Sequence, residues 1–282
     1  MIGRRPFEKH SYIFSLALIA LLCHTPAVLS LELNLPETAF QGDLIVGRTD
    51  PGAIVSTMDN RLVVGPRGYF VQPVPRSRKN DIRFMVRYQN QTLSRDVRIL
   101  AFSWRTQHIK GLPKKYVTPT PEQQRRVVAD IRRIRKIRAD SPYPVPLFLK
   151  KGFQKPLNGP VTSPFGLNRI LNGKPKQFHS GVDLRAPRGH PVKCPADGIV
   201  RMVDVNMYLM GKTLVLDHGL GVTSIYMHLD KILVTPGDLV SQGQTIARVG
   251  KTGRATGAHL HWGVNVGSTP IDPLRLLNRS FP

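Results

Sequence analysis

The stretch Ala258-His259-Leu260-His261-Trp262-Gly263-Val264 decides the reading of this chain. Its large apolar residues fall on every second position. A strand sends successive side chains to opposite faces. The alternation predicts a strand with Ala258, Leu260, Trp262 and Val264 turned into a core. His259 and His261 then point together to the other face, where two imidazoles side by side suit a metal.

Two further segments work outward from that strand. In His179-Ser180-Gly181-Val182-Asp183-Leu184, Gly181 and the nearby Pro187 disfavour a helix. In an extended chain His179 and Asp183 share a face while Val182 and Leu184 turn inward. In Val222-Thr223-Ser224-Ile225-Tyr226-Met227-His228, Ile225 and Met227 alternate with Ser224, Tyr226 and His228, which predicts a polar face carrying His228. A lone His-x-His or His-x-x-x-Asp is usually structural. Three such pieces in one strand-rich region carry more weight. A catalytic zinc takes three protein ligands and leaves one position open for water. Two histidines and an aspartate satisfy that count, with imidazoles left over for proton transfer. Paired cysteines, the mark of a structural zinc, are absent. His190 and His218 read as loop and turn residues, and His108 lies outside the region.

The surrounding chain is expected to be all-β. Gly198–Val203, Thr213–Asp217, Val222–His228, Gln244–Val249 and Ala258–Val264 read as strands broken by glycine turns, giving a domain over 148–282. Residues 31–105 read as a small β-sandwich, with Ile82–Tyr88 and Val97–Phe102 as its best strands. It is expected to be a spacer or binding module. Residues 106–147 read as a basic helical and Pro-rich connector. Thr120-Pro121-Glu122-Gln123 fits a capping box, and Val127, Ile131 and Ile134 follow at helical spacing among Arg125, Arg126, Arg132, Arg133, Arg135, Lys136 and Arg138.

Charge and the N-terminus narrow the partners. The 41 Lys+Arg against 18 Asp+Glu give a formal charge of +23, which calls for a polyanionic neighbour. Arg4, Arg5, Lys9 and His10 precede an apolar run from Tyr12 to Cys23, with a usable cleavage site after Ser30. Residues 1–30 thus read as a signal peptide. Arg4-Arg5 also gives it an imperfect twin-arginine look. The body is expected to be exported, to the periplasm or cell envelope, or tethered to a membrane by an uncleaved N-terminal segment. Export makes nucleic acid a poor partner and leaves anionic wall polymers or lipid. Cys194 is the one thiol outside the signal and is expected to be a small buried residue rather than a nucleophile.

Ser163-Pro164-Phe165-Gly166, His179 to Pro187, Tyr226-Met227-His228-Leu229 and Gly253 to His261 come in the order of a known family. Over 163–273 the chain resembles the lysostaphin-type (LytM-like, β-lytic) zinc metallopeptidases of bacterial cell walls. The resemblance implies an antiparallel β-sheet domain with a metal-holding groove. It implies Zn2+ on His179, Asp183 and His261, with His228 and His259 catalytic. Arg169, Tyr226 and Arg254 are expected to bind substrate. The implied activity is endopeptidase cleavage of peptidoglycan stem peptides through a zinc-activated water. The alternatives are a non-enzymatic wall-binding or hydrolase-activating protein on the same fold, and a secreted general protease. Two departures stand out: Gly263 occupies a position where many members carry Glu, and no asparagine-bearing blocking segment is recognisable.

Overall fold

The computed structural model describes Gly3, residues 30–277, Arg279 and Phe281. The expected signal peptide, apart from Gly3 and Ser30, lies outside the described residues. Among the described residues no helix is long and apolar enough to cross a membrane.

Seven strands form first: β1 (Leu33–Asn34), β2 (Thr38–Phe40), β3 (Leu44–Thr49), β4 (Ile54–Thr57), β5 (Tyr69–Pro73), β6 (Ile82–Tyr88) and β7 (Gln91–Leu100). They make a three-stranded sheet, β1-β3-β5, and a four-stranded sheet, β2-β7-β6-β4. In β6 the pattern is plain: Ile82, Phe84 and Val86 are buried while Arg83, Met85 and Arg87 face out. Their inward side chains meet Ile45, Val55, Phe70 and Val97 in one core.

This sandwich packs against the sheet that follows it. In β3, Ile45 joins the sandwich core, while Leu44 and Val46 join the core of the sheet downstream. The strand is buried on both faces because it packs against two layers. Arg76 adds a clamp: it donates to the Gly166 carbonyl (3.0 Å) and Asn168 Oδ1 (2.7 Å), between the rings of Trp104 and Phe178.

The connector contains β8 (Thr106–Ile109), α1 (Lys114–Val117) and α2 (Pro121–Ala139). The capping box is present: Thr120 accepts from the Gln123 backbone, and the Gln123 side chain accepts from Thr120. Val127 and Ile134 are buried, and Ile134 packs on Met202, Met207, Val215 and Ile225. Arg138 continues that stripe one turn further, and burial pulls its guanidinium down to about 10. The sequence reading found the helix and missed β8. Four residues with no apolar alternation give no strand signal by themselves; a partner edge supplies it.

After a 3-10 turn (Leu147–Lys150) come β9 (Val161–Ser163), β10 (Asn168–Leu171), β11 (Lys174–Lys176), β12 (Val182–Arg185), β13 (Pro191–Lys193), β14 (Gly198–Met207), β15 (Gly211–Asp217), β16 (Val222–Ile232), β17 (Leu239–Val240), β18 (Thr245–Val249), β19 (His259–Val266) and β20 (Thr269–Ile271). Ten of these form one sheet, ordered β17-β14-β15-β16-β19-β12-β9, with β18 on β16, β13 on β18 and β20 on β19. β10 and β11 form a hairpin outside it, extended in parallel by β8. The fold is all-β, as the sequence predicts. Leu184, Tyr226, Leu260, Trp262 and Val264 fill the core under the main sheet.

The expected facing of β16 is reversed. Tyr226 lies opposite Trp262 and enters the main core, while Ile225 and Met227 lie under α2. Helix α2 covers the second face, so both faces are apolar and alternation no longer tells core from surface. The Tyr226 hydroxyl is satisfied inside by Ser224 Oγ at 2.8 Å.

Candidate metal centre

One row of cross-strand partners builds the site. Ser163 on β9 pairs with Asp183 on β12, Asp183 with His261 on β19, and His261 with Met227 on β16. Directly opposite residues project to the same face. His179 enters from the loop before β12. Its backbone N–H donates to the Leu167 carbonyl (2.9 Å) and its carbonyl accepts from Gly166 (2.8 Å).

Three atoms converge. Asp183 Oδ1 lies 2.8 Å from His261 Nδ1 and 3.0 Å from His179 Nε2, and the two ring nitrogens are 3.0 Å apart. Ligands at about 2.0–2.1 Å from a tetrahedral metal sit about 3.3 Å from each other, so these atoms are spaced as a ligand set. All three residues are buried. His179 Nδ1 donates to the Pro164 carbonyl (2.9 Å), which leaves Nε2 with its lone pair. Burial pushes His261 down to about 4, so its ring is neutral at pH 7. Burial raises the Asp183 carboxyl, but hydrogen bonds with His179 and His261 outweigh it and hold the group well below the usual range. Neutral imidazole and ionised carboxylate are the forms that bind a metal.

The residues expected to be catalytic stand beside this set. The His228 and His259 rings are 4.8 Å apart centre to centre, and His228 is 6.3 Å from His261. His228 reaches them through a bulge. Lys212 pairs with Leu229 and Leu214 with Tyr226, so two residues of β16 face Thr213 alone. His228 sits there at φ 61, a left-handed conformation that turns its ring away from the core. The bulge presses on Gly250, where a Cβ would lie 2.4 Å from the Asp230 backbone nitrogen. His228 Nδ1 donates to the Thr252 carbonyl (2.8 Å) and His259 Nδ1 to the Gly257 carbonyl (2.9 Å). Each Nε2 is left without a hydrogen-bond partner among the described residues. Burial, and then the neighbouring His259 and His261, push His228 down to about 3, so it is a neutral base.

The residues expected to bind substrate divide. Tyr226 is fully buried beneath the sheet and is corrected to a core residue. Arg169 donates to Asp183 Oδ2 at 2.8 Å, so it holds a candidate ligand rather than standing free for a substrate. Arg254 feels both Arg169 and Asp183, and burial pulls its guanidinium down. Its guanidinium has no hydrogen-bond or ion-pair partner among the described residues. Elsewhere, His218 is buried and bonded to Ser224 Oγ (2.7 Å) and the Asp197 carbonyl (2.8 Å), a structural role as expected. Cys194 is buried, and burial drives its thiol up to about 12.

The sequence reading gave no role to Ser163 or Gln107, both of which touch this site. Ser163 opens the motif Ser163-Pro164-Phe165-Gly166. Gln107 has no local signal at all, since only the β8–β10 pairing brings it here.

An antiparallel sheet here brings two histidines and an aspartate to one point, with two more histidines beside them. Residues 177–273 match the model of Peptidase family M23. Over 131 residues the chain is 40% identical to an uncharacterized metalloprotease of Haemophilus influenzae, covering 45% of this chain and 27% of that protein. Over 97 residues it is 45% identical to peptidoglycan DD-endopeptidase ShyB of Vibrio cholerae, covering 34% of this chain and 22% of that one. The chain thus spans about a quarter of the length of these relatives. A solved structure from Pseudomonas aeruginosa assigned to peptidase M23 aligns with a TM-score of 0.64 at 28% identity, over 86% of this chain and 96% of that one. That coverage reaches well beyond the family segment and into the upstream sandwich.

Proposed function

We propose that this protein is an exported zinc metalloendopeptidase that hydrolyses peptide cross-links in bacterial peptidoglycan. The observation that carries this reading is the convergence of His179 Nε2, Asp183 Oδ1 and His261 Nδ1, flanked by His228 and His259. The names of the relatives point the same way. Bound at the three atoms, zinc supplies Lewis acidity that polarises a scissile carbonyl and makes water a nucleophile near pH 7. The protein's own groups do the rest. His228 Nε2, kept neutral by burial, accepts a proton from the attacking water. The His228 Nε2–H so formed returns the proton to the leaving amine, and His259, when protonated at Nε2 as well as Nδ1, donates to the oxygen that gains charge. Arg254, with an unpartnered guanidinium, is placed to meet a carboxylate on the stem peptide. Glycan cleavage is a poor fit, because it needs two flanking carboxylates and Asp183 is occupied as a ligand.

The test is digestion of purified sacculi followed by mass spectrometry. Cross-linked dimers are expected to become monomers, one zinc per chain is expected by elemental analysis, and a chelator is expected to stop the reaction. Release of intact stem peptides would make the protein an amidase. New reducing sugar ends, or full activity in a zinc-free protein, would refute the reading. Cleavage of Gly-rich proteins with sacculi untouched would favour the general protease.

The basic helix belongs to the same reading, as an anchor to anionic wall or membrane surfaces. Arg126 caps the Asn206 carbonyl and Arg133 pairs with Asp204, so these two are committed within the fold. Arg132, Arg135 and Lys136 are exposed. Neutralising these three is expected to weaken binding to sacculi or anionic vesicles, most visibly at low salt. Unchanged binding across a salt series removes the anchor role.

A further inference from the structure

Ser163 is the junction between both ends of the ligand set. Its Oγ lies 3.2 Å from His179 Nδ1 and accepts from Arg169 Nη2 at 3.2 Å. The same Arg169 nitrogen donates to Asp183 Oδ2. A hydroxyl has one proton to give and two lone pairs to receive with. Ser163 gives its proton to Gln107 Oε1 at 2.9 Å. With that proton committed, both lone pairs face His179 and Arg169.

Gln107 lies upstream of the segment that carries the metal ligands. It lies on β8, opposite Arg169 in the parallel ladder with β10. The ladder is fixed at both ends, by Asn168 N–H to the Arg105 carbonyl (2.9 Å) and Asn172 N–H to the Ile109 carbonyl (2.8 Å). Just upstream, Trp104 lies against Gly166, where a Cβ would come within 2.0 Å of the indole. Gly166 at φ 82 admits that contact and no larger residue does. The connector is therefore locked into register beside the site.

We propose that Gln107 is a positioning residue of the metal centre, acting through the Ser163 hydroxyl. By accepting the Ser163 proton it keeps Oγ an acceptor. That acceptor takes the Arg169 Nη2 proton and so holds Arg169 against Asp183, and it shares the His179 Nδ1–H with the Pro164 carbonyl. Without Gln107 the hydroxyl is free to turn its proton toward Arg169 and His179, both donors here, which loosens Arg169 from Asp183. The inference rests on the zinc reading above, and it makes the upstream connector part of the metal site.

The experiment measures zinc dissociation constants by competition with a chromophoric chelator, on the full chain. The proteins are wild type, Gln107→Leu, Ser163→Ala and the double variant. Gln107→Leu is expected to weaken zinc by about 10- to 100-fold, the usual cost of losing a partner behind a ligand. Thermal unfolding of the metal-free forms is expected to stay near wild type. In the Ser163→Ala background the Gln107 change is expected to add nothing, since the route through Oγ is already gone. Gln107→Asn, one methylene shorter but still polar, covers a failure of the leucine variant to fold and is also expected to lose zinc affinity. Wild-type affinity in the Gln107 variants, or additive losses in the double variant, overturns the proposal while leaving a zinc enzyme intact. A wild-type protein that binds no zinc overturns the functional reading instead.

Discussion

His261→Ala is expected to lose zinc and activity together, whereas His228→Ala is expected to keep zinc and lose activity alone. The geometry separates the two rings. His261 Nδ1 is one of three atoms within 2.8–3.0 Å of each other, so its removal leaves Asp183 and His179 with an incomplete site. The His228 ring centre stands 6.3 Å from that of His261, and its Nδ1 is occupied by the Thr252 carbonyl. Losing a general base of this kind costs about 100- to 10,000-fold in rate. Zinc content after dialysis, paired with the rate of cross-link cleavage, reads both quantities. A His228→Ala protein stripped of metal would show that the ligand set is wrongly drawn.

Gly181→Ala is expected to be nearly as damaging, although it touches no ligand chemically. A Cβ at this position would lie 2.5 Å from the Trp262 carbonyl and 2.8 Å from His261 Nε2. The first neighbour is backbone where Trp262 pairs with Val182 on one side and Tyr226 on the other, which cannot give way without shifting the strands. The second is the ligand ring itself. Either movement spreads His261 away from Asp183, and zinc affinity is expected to fall by at least about 10- to 100-fold. Chelator competition on the variant measures it. Unchanged affinity would mean that β12 can slide past β19 without disturbing the ring, against the close packing of Leu184, Leu260 and Trp262 beneath.

The five candidate residues were legible because each is carried by local pattern, while their division into ligands and free histidines came from the resemblance. His259 and His261 follow from a strict two-residue period, and Asp183 from the extended chain between Gly181 and Pro187. The sandwich was legible for the same reason: in β6 every second side chain is apolar and buried. The helix announced itself by its capping box. Where pattern failed, burial on both faces was the cause. β16 lies between the main core and α2, so Tyr226 and Ile225 are both inside and the sequence cannot say which faces the site. β3 lies between two cores in the same way.

By itself the sequence determined which residues could hold a metal, because period and glycine placement act within a few residues along the chain. Only the tertiary structure decided how they meet. A bulge and a left-handed backbone at His228 part that ring from Tyr226, with which the alternation groups it, and turn it to the face of His261; they exist because β15 supplies one residue where β16 supplies two. The pairing of Arg169 with Asp183, and of Gln107 with Ser163, likewise depends on strands far apart in sequence lying side by side. Such contacts leave no periodic trace. A hydrogen bond fixes the distance between two atoms in space and places no constraint on the number of residues between them.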